Sequence, residues 1–334
     1  MKFSIIIVTF NRKKALTECL QSICNQSLKI PYEVIVILNG DRGYLEKYKS
    51  SFRQFTFIHI PQTTSANARN MAIKKAQGEY VLFLEDDCLL PTNYFQNINF
   101  DLPWDVLGGP DQTPLYASPL QTLIGRALAS PLCMGPAFKR HSRNTLYNHN
   151  ATEQSLVICN LWFKKTLFTN EGFQFNNKLF RNEEHFLLKE MSKKNKKFHY
   201  NPQLFVYHQR QPNLEKLGAA LIQSGKCRAS TFFSMPDKNE LIYFSPLIFL
   251  ACFFLMIFQP NVFFLISFLL YTFAVLAYGV ITHRRLSLRL VLLHYFILFC
   301  YNIGLFMGSW VSLGHFYKNL KKTNHPIVTE SNGK

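Results

Sequence analysis

From Leu241 to Thr282 the chain contains no Asp, Glu, Lys or Arg, and from Leu290 to Tyr317 it again contains none. A helix that packs on a soluble core keeps a charged face toward water. Neither run has such a face. Because about 20 apolar residues span a bilayer, the first run has the length for two passes broken at Gln259-Pro260-Asn261, and the second for one. Three membrane helices are therefore expected, near 241–258, 262–282 and 290–313. The basic segment 283–289 between the two runs is expected on the cytoplasmic side. Three passes that start inside leave Lys318, Lys321 and Lys322 outside, against the same tendency. Either one apolar run is then a re-entrant or interfacial hairpin, or the tendency is broken once.

The N-terminal stretch MKFSIIIVTFNRKK has a short apolar run, no small-residue cleavage site, and its basic residues behind the run rather than before it. That is not the layout of a signal peptide, so the front of the chain is expected to stay in the cytoplasm. The eight cysteines, scattered without CxxC spacing, suit reduced thiols. A formal net charge of +17 raises nucleic acid as a partner, but no nucleic-acid motif accompanies the basic clusters at 139–143 and 193–197. Attraction to anionic lipid head groups explains them for a domain held at a membrane, so membrane lipid is expected as a partner and nucleic acid is not.

Along the front, patterns alternate. Residues 3–10 are a continuous β-branched run, as in a strand buried on both faces. Ala15, Leu16, Cys19, Leu20 and Ile23 fall at helical spacing within 12–27. Strands are expected at 32–38, 56–60 and 79–84, with a turn at Asn39-Gly40-Asp41 and a helix at 66–76. Repeated β-α-β order implies an α/β sheet covered on both faces, and in such sheets ligands sit beyond the carboxyl ends of the strands. The fourth strand runs into Glu85-Asp86-Asp87. Adjacent carboxylates repel unless a cation neutralises them, and Mg2+ or Mn2+ shared with substrate phosphates meets that need. By itself the pair of aspartates is equally a helix cap before Pro91.

The stretches SIIIVTFNR, YEVIVILNGD, NARNMAIKKAQGEYVLFLEDDCLLP, EGFQFNNKLFRNEEHFLLKEM and FHYNPQLFVYH, in that order, resemble the signature of the family-2 glycosyltransferases over roughly residues 3 to 210. The resemblance implies a glycosyltransferase-A (nucleotide-diphospho-sugar transferase-like) three-layer α/β/α domain followed by C-terminal membrane helices. It divides the chain into a catalytic domain at 1–215, an interfacial linker at 216–240, membrane helices at 241–317 and a polar tail at 318–334. Thr9, Phe10 and Asn11 would form the base-binding loop. Asn39 would meet the nucleotide, although Leu38 stands where relatives carry a carboxylate, so no uridine preference carries over. Arg69 would brace the base and phosphates, and Gly108 and Gly109 would border the sugar pocket. Glu85, in place of the usual first Asp, would face ribose or the metal, Asp86 is open to either role, and Asp87 would be the direct metal ligand with His208 completing the shell. Of the acids in RNEEHF at 181–186, which opens the apolar-periodic segment FLLKEM at a helix N-terminus, Glu184 is expected as the base and Glu183 as its orienting partner.

The activity so implied is an inverting, divalent-metal-dependent transfer from a nucleotide-sugar donor. The acceptor would be lipid-linked or saccharide, polyprenyl or glycolipid, in surface polysaccharide or glycolipid synthesis at the inner face of the cytoplasmic membrane. The processive QxxRW signature has no counterpart near His208-Gln209-Arg210-Gln211, so single additions are expected. Two other classes stay open: a nucleotidyltransferase on a similar scaffold, for which the glycine-rich loop after the first strand is missing, and a catalytically impaired membrane scaffold.

Overall fold

The computed structural model describes residues 1–40, 45–179, 182–258, 262–284 and 286–323. Asp41 of the expected turn, Arg181, Arg285, the expected break at Gln259-Pro260-Asn261 and the tail beyond Thr323 lie outside the described residues. The front alternates β1 (Phe3–Thr9), α1 (Lys13–Cys24), β2 (Tyr32–Asn39), α2 (Leu45–Ser51), β3 (Thr56–Ile60), α3 (Ser65–Lys75) and β4 (Tyr80–Glu85). It continues through β5 (Cys88–Leu89), β6 (Val106–Gly108), β7 (Asp111–Gln112), α4 (Pro119–Leu128), α5 (Pro131–Met134), β8 (Asn160–Lys164), α6 (Thr166–Thr169), α7 (Glu183–Lys193), β9 (Phe198–Tyr200) and β10 (Val206–His208).

Seven strands form one sheet in the order β3-β2-β1-β4-β8-β6-β9. The first four are parallel, whereas β8 runs antiparallel to both β4 and β6. The sheet is therefore mixed, where the β-α-β alternation alone predicts only parallel neighbours. Successive side chains of a strand leave opposite faces. Phe3, Ile5 and Ile7 of β1 accordingly enter one core with α1, while Ile6 enters a second core with α3 and α7. The continuous apolar run at 3–9 is the direct consequence of that double burial.

Behind the front domain come α8 (Leu214–Ser234), α9 (Ser245–Phe258), α10 (Val262–His283) and α11 (Leu288–Thr323). The chain divides into two compact units. One is Met1–Lys216 with Thr272–His294, and the other Leu217–Tyr271 with Tyr295–Lys334. Within the first unit, Tyr278 of α10 donates a hydrogen bond to Ala129 O at 3.0 Å, so part of the long apolar run belongs with the front domain.

Two helices, Val262–His283 and Leu288–Leu313, are long and apolar enough to cross a membrane. The third expected span is not. α9 has 14 residues, or about 21 Å of helix against a hydrocarbon core of about 30 Å. Residues 241–244 are taken instead by a 3₁₀ turn over Lys238–Phe244, and Pro246 sits in the first turn of α9, where its missing N–H costs nothing.

Within the second unit the segment expected as an interfacial helix is helical, and it presses its small-residue face onto α11. A Cβ on Gly304 would stand 2.0 Å from Ile222 O, and one on Gly225 would stand 2.3 Å from Tyr301 O. These are backbone contacts that no rotamer change relieves. Gly304→Ala should gain about 1 kcal/mol of helix propensity, yet it must part the two helices. A net loss of about 1–3 kcal/mol, the usual range for overpacking, is the expected outcome, read as a lower thermal unfolding temperature in detergent.

Candidate active site

β1 and β4 lie side by side with Val8 opposite Glu85, so the residues that follow them emerge together at the carboxyl edge. Thr9 Oγ1 donates to Asp86 Oδ2 at 2.5 Å. Asn11 turns the chain with φ of +54°, in the left-handed region that asparagine tolerates best after glycine. The turn brings back Arg12, whose Nη2 is 2.7 Å from Asp86 Oδ1 and whose Nη1 pairs with Asp87. Phe10 is half exposed. Thr9, Asn11, Arg12, Leu16, Leu38, Asn39 and Tyr48 line a small pocket at this edge.

A second, small sheet of order β5-β10-β7 carries the rest of the cluster. Its register sets His208 opposite Cys88, the residue after Asp87, and Val206 beside Asp111. His208 Nε2 thereby lies 3.3 Å from Asp87 Oδ1 and 3.5 Å from Glu85 Oε2, while Nδ1 is 2.8 Å from Asp111 Oδ2. Asp111 is buried and also meets His141 at 2.6 Å and Arg210 at 2.7 Å. Burial favours protonation of Asp111, but Arg210 and His141 outweigh it and hold the carboxyl well below the usual range.

Within the triplet the two aspartates diverge. Burial pushes Asp86 up to about 6 despite Arg12 and Thr9. Burial would raise Asp87 as well, but His208 and Arg12 overcome it and hold it at about 2. Asp86 is thus a buried brace between β1 and β4, and Asp87 is the permanently charged member.

Arg69 joins this edge to the second acidic site. Projecting from α3, its guanidinium pairs with Glu183 and lies 3.7 Å from Glu85 Oε1. Glu183 and Glu184 open α7, where the dipole favours negative charge. The preceding Asn182 has φ of +58°, again a left-handed asparagine. Glu184 is buried, and that burial together with neighbouring Glu183 raises its pKa against the pull of Arg140 and Arg69.

The expected residues therefore converge, but not all face the cleft freely. Both ends of the Asn39 amide are engaged with the Thr63 backbone, at 2.9 Å from Nδ2 to O and 2.8 Å from N to Oδ1, so its side chain braces the loop after β3. A Cβ on Gly109 would stand 1.7 Å from Leu204 O, and one on Gly108 would stand 2.8 Å from a Leu156 methyl. Close packing of protein on protein therefore accounts for this glycine pair. Sequence reasoning passed over Arg12, Asp111 and Arg210. For Arg12 the signal was available, since it is the first cation beyond a parallel strand that neighbours the triplet. For Asp111 and Arg210, which lie far apart in the chain, there was none.

Glu85, Asp87 and His208 each offer a ligand atom within 4.8 Å of one another. Asp87 Oδ1 is buried without a hydrogen bond, and His208 is oriented through Nδ1 by a carboxylate, as imidazole ligands commonly are. Two hard oxygens and one imidazole fit Mn2+ or Mg2+.

A nucleotide-diphospho-sugar transferase-like sheet, with an acidic cluster at its carboxyl edge facing a second acidic pair, defines a domain of the glycosyltransferase-A fold. Residues 4–98, which span Thr9, Arg69 and the acidic triplet, match the profile of Glycosyl transferase family 2. Among curated relatives it is 33% identical over 93 residues to "Poly(ribitol-phosphate) beta-N-acetylglucosaminyltransferase TarS" of Staphylococcus aureus strain Mu50, covering 26% of this chain and 16% of that one. It is 34% identical over 135 residues to "Poly(ribitol-phosphate) beta-glucosyltransferase" of Bacillus spizizenii strain W23, covering 38% and 20%. The chain thus spans a fifth or less of the length of these relatives. Among solved structures, the "Mannosyltransferase PcManGT from Pyrobaculum calidifontis in complex with GDP-Man and Mn2+" superposes with a TM-score of 0.57 at 15% identity, over 92% of this chain and 87% of that one. At that identity the likeness is one of fold.

Proposed function

We propose that this protein is a membrane-associated, inverting glycosyltransferase that moves a sugar from a nucleotide-diphosphate donor to a hydroxyl of a lipid-anchored surface glycan or polyol. One observation carries the reading: Arg69 is ion-paired to Glu183 and close to Glu85, so the acidic triplet and the α7 acids border a single cleft. The fold neighbour's complex with GDP-Man and Mn2+, and relatives named for transfer to poly(ribitol-phosphate), support the donor, ion and acceptor classes.

In this reading the pocket behind Thr9, Asn11, Leu38 and Tyr48 receives the base. Held by Asp87, Glu85 and His208, a divalent ion would supply charge neutralisation for the leaving diphosphate. Arg12 and Arg69 offer planar forks to phosphate oxygens. Glu184 takes the acceptor's proton. Its raised pKa brings it nearer the working range of a general base. Direct attack on the anomeric carbon, assisted by one base and with no covalent intermediate, inverts configuration.

α10 presents Phe273, Leu270 and Ile281 outward with 63–75% of each exposed, which suits contact with acyl chains. Two crossings rather than three, with α9 too short to count, leave the lysine-bearing tail on the same side as the front domain. The tail then follows the charge tendency, and the conflict passes to the basic segment 283–289, which two crossings place on the far side.

The test is transfer from a panel of UDP- and GDP-sugars by the full chain in detergent, with and without Mn2+, and with the product anomer read by NMR. Ion-dependent transfer with inversion is expected; absence of transfer from every donor, or retention of configuration, contradicts the reading. A pH effect follows as well. Burial disfavours the charged form of His208, but Asp87 and Asp111 outweigh it, so the ring keeps its proton well above the usual range. An incoming ion must displace that proton. Mn2+ affinity should therefore rise with pH, by up to about tenfold per unit while the proton remains, as measured by the electron paramagnetic resonance of free Mn2+.

A further inference from the structure

Next to the acidic triplet lies a second donor set, which joins two cysteines that the proposed reaction does not use to His208, which it does. Cys88 and Cys159 are fully buried, and their Sγ atoms and one ring nitrogen of His208 all lie within 4.8 Å of one another. The arrangement is built by the fold. Cys88 faces His208 across the β5–β10 pair, and Cys159 immediately precedes β8, with its Sγ 3.9 Å from Asp111 Oδ2. Two sulfurs and one imidazole are the wrong donors for Mg2+ and the right ones for Zn2+, Co2+ or Cd2+. Around a zinc ion, with bonds of about 2.0–2.3 Å, such donors stand roughly 3.5 Å apart. The three need to close by only about an ångström.

We propose that Cys88, Cys159 and His208 form a site for a thiophilic cation such as Zn2+, and that filling it withdraws His208 from the hard-ion site at Glu85 and Asp87. A neutral imidazole has one lone pair, so His208 serves one ion at a time. Binding releases the two thiol protons and the His208 ring proton to solvent, and leaves two thiolates and a neutral imidazole on the ion. The second half of this proposal, mutual exclusion, rests on the reading of His208 as a ligand of the donor's ion; the first half does not.

The test uses the full chain in detergent with a non-thiol reductant. Titrated with Co2+, the wild type should show a thiolate-to-cobalt charge-transfer band and intense tetrahedral d–d bands. Zn2+ should abolish both, and Cys88→Ser and Cys159→Ser should each lose the charge-transfer intensity. Weak octahedral bands alone in the wild type overturn the site whatever the variants do. For exclusion, Zn2+ should release bound Mn2+ from the wild type at concentrations at least tenfold below those needed with either variant. Equal release from wild type and variants overturns exclusion, because zinc is then taking the carboxylates themselves. If the wild type binds no Mn2+, the proposed hard-ion site fails, and the thiophilic site is judged on the cobalt spectrum alone.

Discussion

Replacing Glu184 with Gln lowers turnover about 10²–10⁴-fold, the usual contribution of a positioned general base, while donor affinity stays within a few-fold of wild type. Gln keeps the size of the side chain and its place at the head of α7, but it cannot accept the acceptor's proton. Glu183 and Arg69 keep their pair, so the cleft is retained. The pH profile gives the same answer independently. Burial and Glu183 raise the Glu184 pKa, so the base is lost to protonation at a higher pH than an ordinary carboxylate would be. Wild-type turnover should fall through that limb as pH drops, and the variant should lack the limb. A variant with full turnover, or with the same acid limb, removes Glu184 from the role of base.

Asp87→Asn is expected to act on a different quantity. Even ligand-supporting residues outside a metal's shell change its affinity by about 10–100-fold when replaced, so loss of a direct anionic ligand should weaken Mn2+ binding at least about 100-fold. Thermal stabilisation by nucleotide plus Mn2+, about 2.7 kcal/mol at ligand one hundred times above Kd, should vanish with it. Asp86→Asn is the informative contrast. Asp86 is buried and held by Thr9 and Arg12, so its replacement should lower the stability of the free protein and leave the ion-dependent part of the stabilisation largely in place. If Asp86 and Asp87 variants behave alike in Mn2+ titrations, the division of labour within the triplet is wrong.

The elements that position the site were legible because each announces itself within a few residues. A β-branched run buried on both faces makes β1, 3.6-residue spacing makes α1, and paired acids before a periodic segment open α7. The chemistry at the carboxyl edge was legible for the same reason: three carboxylates directly after a buried strand have few uses. The pairings among those groups were not. Thr9 meets Asp86 across 77 positions and Arg210 meets Asp111 across 99, and nothing local encodes either contact. The small sheet that delivers His208, Cys88 and Asp111 has strands of two and three residues, too short to show a period. The expected helix at 241–258 is interrupted, because absence of charge does not by itself make one continuous helix: a 3₁₀ turn occupies Lys238–Phe244 before α9 begins at Ser245. Ser245-Pro246, a helix-start signal inside that run, shortens α9 below spanning length.

The most direct measurement of the central claim is the anomalous scattering of Mn2+ in crystals grown with the ion and the nucleoside diphosphate that stabilises the protein most. One strong peak bonded to Asp87 and His208 is expected, with the diphosphate between that peak and Arg69 and its terminal phosphate facing Glu184. A nucleotide seated elsewhere, or an ion that leaves Asp87 paired with Arg12 and His208, would contradict it.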